Sequence, residues 1–201
     1  MVKNVVFDLG NVLLDFNPDK IIADHIEDEK LQQKISKNIF ESREWLLLDK
    51  GEISTSKATE IFIKRQPKNE KLIKKIMKNW KYYLKPIKYN IKVLKKLAKM
   101  PLDIYLLSNF HKDAFEEVHK KNDFFEHFEG MIISYQVKAI KPDREIYEKL
   151  IESFDISVNN ILFIDDSLEN IQVAAELGFK TIHFNDNIKL EDEITNYIEN
   201  Y

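Results

Sequence analysis

The sequence predicts an α/β fold: a Rossmann-like open parallel sheet with helices on both faces, interrupted by an inserted all-helical domain. Three observations predict it. Short apolar runs of strand length at Val5–Phe7, Leu102–Leu107 and Ile161–Ile164 alternate with amphipathic segments, the pattern of strands paired in parallel through right-handed crossovers. Each run stops on polar residues, at Asp8, at Ser108-Asn109 and at Asp165-Asp166, and ligands of open α/β sheets bind at such strand ends. Between the first run and the others lie roughly 70 residues of purely helical periodicity.

The first strand leads straight from Met1-Val2-Lys3-Asn4 and ends at Asp8, with Gly10 supplying turn chemistry. From Pro18, Ile21, Ile22 and Ile26, then Leu31, Ile35 and Ile39, recur at three- and four-residue spacing. A break is expected at Asp49–Ile53 around Gly51, with Ser54 as N-cap of a helix carrying Ala58, Ile61 and Phe62. Pro67 closes that helix, and Leu72, Ile73, Ile76, Trp80 and Leu84 mark another, ended by Pro86. Strands resume after Pro101. The Asp113–Lys120 segment reads as a helix, Gly130–Ser134 as a strand, and Lys141-Pro142 as the opening of a helix with Ile146, Tyr147 and Leu150. The helix after Asp166 stops at Gly178, Lys180–Phe184 is the last strand, and a terminal helix follows. Residues 1–15 and 86–201 are thus expected to form the core, and 16–85 an insertion above the carboxyl edge of the sheet.

Composition narrows the chemistry. The 201 residues carry 31 Lys and Arg against 34 Asp and Glu, a formal net charge of −3. Such a balance offers no global field for nucleic acid or an anionic membrane. The N-terminus has no signal-peptide pattern and no stretch is long and apolar enough to span a bilayer, so a cytoplasmic location is expected. With no cysteine, disulfides, thiolate metal sites and cysteine nucleophiles are excluded. A metal would need carboxylates and histidines, which favours a hard cation such as Mg²⁺.

If the strand ends converge, Asp8, Asp165, Asp166, Ser108 and Lys141 share one site. Carboxylates from two strands can hold Mg²⁺, and metal and lysine together would let an anionic carboxylate approach an anionic phosphorus. Without them, two like charges in contact repel by about 4 kcal/mol at an effective dielectric near 20. An aspartate could then act as nucleophile through an aspartyl-phosphate. Lys138 competes with Lys141 for the ammonium position, and Pro142, favouring a helix start, selects Lys141. The five histidines (His25, His111, His119, His127, His183) show no metal-ligand spacing and are assigned to surface or packing. Trp45, Trp80 and Tyr82-Tyr83 are assigned to the core of the insertion.

Four stretches in order, Phe7-Asp8-Leu9-Gly10-Asn11-Val12, Leu106-Leu107-Ser108-Asn109, Lys141-Pro142, and Phe163-Ile164-Asp165-Asp166-Ser167 with Asn170, make the chain resemble the haloacid dehalogenase-like hydrolases over essentially its whole length. Most members of that family are magnesium-dependent phosphatases. The resemblance implies that Asp8 is the nucleophile and that Mg²⁺ is held by Asp8, the Gly10 carbonyl and Asp166, with Asp165 or Asn170 in support. It implies that Ser108, Asn109 and Lys141 bind the transferring phosphoryl group, and that residues 16–85 form a C1-type helical cap. Candidate specificity residues on that cap are Asn17 and the Trp45–Glu52 segment.

The chain departs from the family pattern at Gly10, where phosphatases of the family usually carry a second aspartate for proton transfer. General acid-base help is worth about 10²- to 10⁴-fold. The FDLGNV wording resembles a branch that includes sugar-phosphate phosphatases of the glucose-1-phosphate type, so a small phosphorylated metabolite, with a sugar phosphate favoured, is the expected substrate. A water held by Asp15 or Asn11 could take part of the missing role. The alternatives are a metal-independent 2-haloacid dehalogenase, a phospho-accepting receiver domain, and a catalytically weak phosphate-binding relative.

Overall fold

A central strand, β1 (Asn4–Phe7), is buried on both faces, and its alternating side chains divide the core. Val5 and Phe7 enter one hydrophobic cluster and Val6 the other, as the two-residue side-chain period of a strand requires. Fully burying each such side chain is worth about 1.5–3 kcal/mol. The computed structural model from which these positions are taken describes residues 1–200.

After β1 the chain runs through β2 (Leu14–Asp15), then α1 (Pro18–Ala23), α2 (Glu29–Ile39), α3 (Arg43–Asp49), α4 (Thr55–Arg65) and α5 (Glu70–Asn79). It returns through β3 (Lys85–Pro86) and α6 (Lys88–Leu97) to β4 (Asp103–Ser108), α7 (Lys112–Lys121), β5 (Gly130–Ile133) and α8 (Ser134–Val137). Then come α9 (Arg144–Phe154), β6 (Ile161–Asp165), α10 (Leu168–Glu176), β7 (Lys180–His183) and α11 (Leu190–Asn200). The main sheet has the order β5-β4-β1-β6-β7 and every pairing in it is parallel. Among the described residues no helix is long and apolar enough to cross a membrane.

The register aligns the functional edge. Phe7 pairs with Leu106 on one side and Ile164 on the other, so the next residues, Asp8, Leu107 and Asp165, are level across three adjacent strands. The Asp8 amide continues the ladder by donating to the Ile164 carbonyl at 2.9 Å. Helices α1 to α5 leave and re-enter through the antiparallel pair β2–β3, where Leu14 faces Pro86 and Asp15 faces Lys85. The expected boundary between residues 85 and 86 therefore falls inside β3.

Local signals account for most of the insertion. Ser54 caps α4 by accepting from the Lys57 amide, Ser42 caps α3 through the Trp45 amide, and Asp28 caps α2. Gly51 turns between α3 and α4 with φ of 65°. Three expectations shift. α5 ends at Asn79 and a 3₁₀ turn carries Trp80 to Tyr83. β5 ends at Ile133, because Ser134 begins α8 and its hydroxyl is drawn to backbone groups of Phe110 and Asp49. Lys141-Pro142 does not open a helix: it is a cis peptide in the turn before α9, which starts at Arg144.

Candidate active site

The loop after β1 is a tight wrap. The amides of Leu13 and Leu14 both donate to the Leu9 carbonyl, and Leu9, Val12, Leu13 and Leu14 are fully buried anchors. Asn11 sits at its crest with φ of 51°, a left-handed conformation that Asn tolerates better than most residues. Its side chain ties the loop to the opposite motif: Nδ2 donates to Asp166 Oδ2 at 2.8 Å, while Oδ1 accepts from the Phe16 amide at 3.0 Å.

Lys141 is the hub. Its Nζ lies 2.8 Å from Asp8 Oδ1 and 2.6 Å from Asp165 Oδ2, with the Phe163 ring 5.5 Å away. Burial works to lower its pKa, but the carboxylates of Asp165 and Asp8 outweigh it and hold the ammonium above the ordinary lysine range. Asn109 clamps the backbone beneath it, Nδ2 donating to the Lys141 carbonyl at 2.9 Å and Oδ1 accepting from the Lys141 amide at 2.8 Å. Asp165, fully buried, also accepts from the Ser167 amide and from Asn170 Nδ2. Its oxygens are thus committed to neighbours.

Asp8 is almost buried beside this hub. Desolvation pushes its pKa up to about 7; Lys141 opposes the rise, and Asp165 and Asp166 add to it. Asp166 is less enclosed and is raised by burial, against the bond from Asn11. Ligand oxygens of Asp8, Asp165 and Asp166 lie within 4.8 Å of one another. Three carboxylates facing one ammonium leave an excess of buried negative charge, and all the donors are hard oxygens. Both features fit a magnesium ion. Ser108, 1% exposed, keeps its hydroxyl oxygen without a hydrogen-bond partner, as a group reserved for a ligand would be.

These residues floor a chamber of about 230 Å³, lined on the sheet side by Asp8, Gly10, Asn11, Lys141, Asp166 and Asn170. Its upper wall comes from the insertion and the loop after β4: Phe16, Trp45, Asp49, Trp80 and Leu84, with Asn109, Phe110 and His111. Seven of the eight expected site residues meet here, Asp8, Gly10, Asn109, Lys141, Asp166 and Asn170 in the lining and Asp165 against Lys141, but not in equal roles. Ser108 lies beneath the lining, the Asn109 side chain is occupied by Lys141, and Asp165 backs the lysine.

Several assignments change. Trp45 and Trp80 line the chamber as well as packing the insertion. Of the two roles expected for the histidines, His111 takes packing, not surface, and it also lines the chamber: it is 3% exposed, with the Trp45 and Trp80 rings 4.3 and 5.1 Å away and Nε2 3.1 Å from Asp49 Oδ1. Asp15 is exposed and, with Asn17, lines a different cleft, so neither it nor Asn17 serves this chamber. No spacing rule marks Asp49 and His111 in the sequence, since they come from separate elements.

A family model described as haloacid dehalogenase-like hydrolase matches residues 2–178. A sesquiterpene phosphatase of Aspergillus oryzae is 24% identical over 186 residues, covering 92% of this chain and 91% of that protein. A D-ribitol-5-phosphate phosphatase of Bacteroides thetaiotaomicron is 26% identical over 218 residues, covering 97% and 98%. A crystal structure of a family enzyme from Bacteroides thetaiotaomicron, in complex with magnesium and inorganic phosphate, superposes with a TM-score of 0.78 at 26% identity, covering 96% of this chain and 99% of that one. With motif order, strand register and family model in agreement, the chain belongs to the haloacid dehalogenase-like hydrolases.

Proposed function

We propose that the protein is a Mg²⁺-dependent phosphomonoesterase for a small phosphorylated metabolite, acting through an aspartyl-phosphate on Asp8. The observation that carries this reading is the buried Lys141 ammonium held between Asp8 and Asp165, beside the oxygens of Asp166. Asp8, Asp166 and the Gly10 carbonyl would hold the metal, which supplies charge neutralisation at the phosphoryl oxygens. Lys141 fixes the reacting carboxylate and would add a second positive charge for the phosphoryl oxygens. Ser108 offers its free hydroxyl to a phosphoryl oxygen, and Asn109 keeps the lysine in register. Asn170 and Asp165 support from below.

The helical insertion, residues 16–85, is in this reading a cap that roofs the reaction and excludes water. A sugar or polyol phosphate is the preferred substrate class: a chamber of about 230 Å³ suits a small skeleton, and the ribitol-phosphate phosphatase aligns nearly end to end. A cytoplasmic location is consistent with such a substrate.

A phosphoester panel with and without Mg²⁺, run on the wild type and on Asp8→Asn, tests this. Metal-dependent phosphate release that the variant loses is expected. Metal-independent halide release from 2-haloacids, or hydrolysis no faster than that of Asp8→Asn, would overturn it.

A further inference from the structure

Among the residues lining the chamber, five side chains can titrate: Asp8, Asp49, His111, Lys141 and Asp166. Three are already occupied. Lys141 is locked between Asp8 and Asp165, and Asp166 is held by Asn11. An alkyl ester needs a proton at its departing oxygen, and the loop beside Asp8 offers only Gly10 and Asn11 on the chamber wall. The remaining pair is Asp49 and His111.

That pair has the form of an acid and its orienting group. His111 lies in the loop after β4 on the core side, three residues beyond Ser108 at the strand end, and Asp49 ends α3 on the insertion. Nε2 of His111 is buried, 3.1 Å from Asp49 Oδ1, and lacks an aligned hydrogen bond. Catalytic contacts of this kind are often loose without substrate and tighten in the complex. The Asp49 end is itself pinned: its carbonyl accepts from Ser134, and the Gly51 carbonyl accepts from Lys138. The rings of Trp45 and Trp80, with centroids 4.3 and 5.1 Å from that of His111, hold the imidazole in place on the chamber wall.

We propose that His111, oriented by Asp49, is the proton donor and acceptor for the leaving group; the proposal rests on the phosphatase reading above. In the first step an Asp8 oxygen bonds to phosphorus as the bond from phosphorus to the ester oxygen breaks. The departing oxygen takes a proton from the His111 imidazolium and leaves as an alcohol. Water then attacks the phosphorus, giving a proton to the neutral imidazole while the bond from Asp8 to phosphorus breaks. Orthophosphate leaves, with the Asp8 carboxylate and the imidazolium restored. Asp49 is a positioning residue.

The test compares kcat/KM of the Mg²⁺-loaded wild type, His111→Gln, His111→Asn and Asp49→Asn on two esters. One is the best alkyl phosphate of the panel; the other is p-nitrophenyl phosphate, whose leaving group departs as a stable anion. For His111 variants the expected loss is about 10²- to 10⁴-fold on the alkyl ester, and under ~10-fold on the nitrophenyl ester. Asp49→Asn shows the same selectivity with a smaller loss. Because kcat/KM reports the steps through phosphoryl transfer, slow dephosphorylation does not mask the difference, and retained nitrophenyl activity shows that the variants fold. Equal losses on both esters, or none on either, overturn the proposal. A wild type that turns over neither ester instead overturns the phosphatase reading, and this assignment with it.

Discussion

Asp8 is a carboxylate whose burial raises its proton affinity from a usual value of 3.8 to about 7. Between those two values the folded chain keeps a proton that the unfolded chain has released, so stability falls as pH rises through this window. Below about 3.8 both states are protonated and the group contributes nothing; above about 7 the full cost is present. In EDTA, the Asp8→Asn variant should therefore melt several degrees above the wild type at about pH 8, with the gap closing towards about pH 4; ~1 kcal/mol corresponds to about 2–4 °C at this chain length. A gap that widens on acidification would refute it. Lys141 has the opposite character. Replacing it by Ala leaves Asp8 and Asp165 buried without their cation, and a loss of about 3–5 kcal/mol is expected in urea unfolding. A midpoint like that of the wild type would mean that the carboxylates simply take up protons. Gly10 is the third informative residue: a Cβ built there meets no atom within 4 Å, so the position has room for a β-carbon. Gly10→Asp in the His111→Gln background should recover at least ~10-fold in kcat/KM on the alkyl ester if proton supply is what the histidine provides.

The elements that position the site were readable to different degrees, for physical reasons. Strand ends at Asp8 and Asp165 stand out because an unbroken apolar run stops where the sheet edge meets the chamber, and Ser54 and Gly51 announce a helix start and a turn by local chemistry. Lys141-Pro142 misleads because proline at a helix start and proline in a cis turn look alike in one dimension. His111 and Asp49 were invisible as a pair because 62 positions separate them, and their contact exists only once α3 lies over the β4 loop. That juncture predicts the behaviour of the turn between α3 and α4. A Cβ on Gly51 would sit 2.9 Å from the Tyr135 carbonyl oxygen and 2.7 Å from Lys138 Nζ, at a φ of 65° that β-carbons disfavour. Gly51→Ala should cost about 1 kcal/mol and displace Asp49 from His111, lowering kcat/KM on the alkyl ester more than on p-nitrophenyl phosphate. Equal kinetics on both esters, with lowered stability, would show that the turn matters to folding alone.

On the scale of the molecule, the chamber is assembled from two bodies of sequence that meet over the carboxyl edge of β1, β4 and β6. The insertion is tethered through the short β2–β3 pair and meets the core through polar contacts of Asp49, Gly51, Thr55 and Lys81 with His111, Ser134, Lys138, Asp113 and Glu117, and through the Trp45 and Trp80 rings packed on His111. Whether that roof moves when its ligand binds can be read directly, because the chain carries its own reporter. Its two tryptophans, Trp45 and Trp80, both line the chamber, with ring centroids 5.0 Å apart. Tryptophan emission, excited beyond the tyrosine absorption band, therefore reads the chamber alone. Inorganic phosphate added with Mg²⁺ should shift or quench this emission saturably, while either ion alone gives a smaller change, because phosphate without the metal meets an excess of carboxylate charge. In Lys141→Ala the response should weaken markedly, since the ammonium beside Asp8 is gone and its carboxylate charge is left uncompensated. If calorimetry shows phosphate binding while the emission stays fixed, the roof is rigid, and substrate must enter through an opening that already exists in the resting chain.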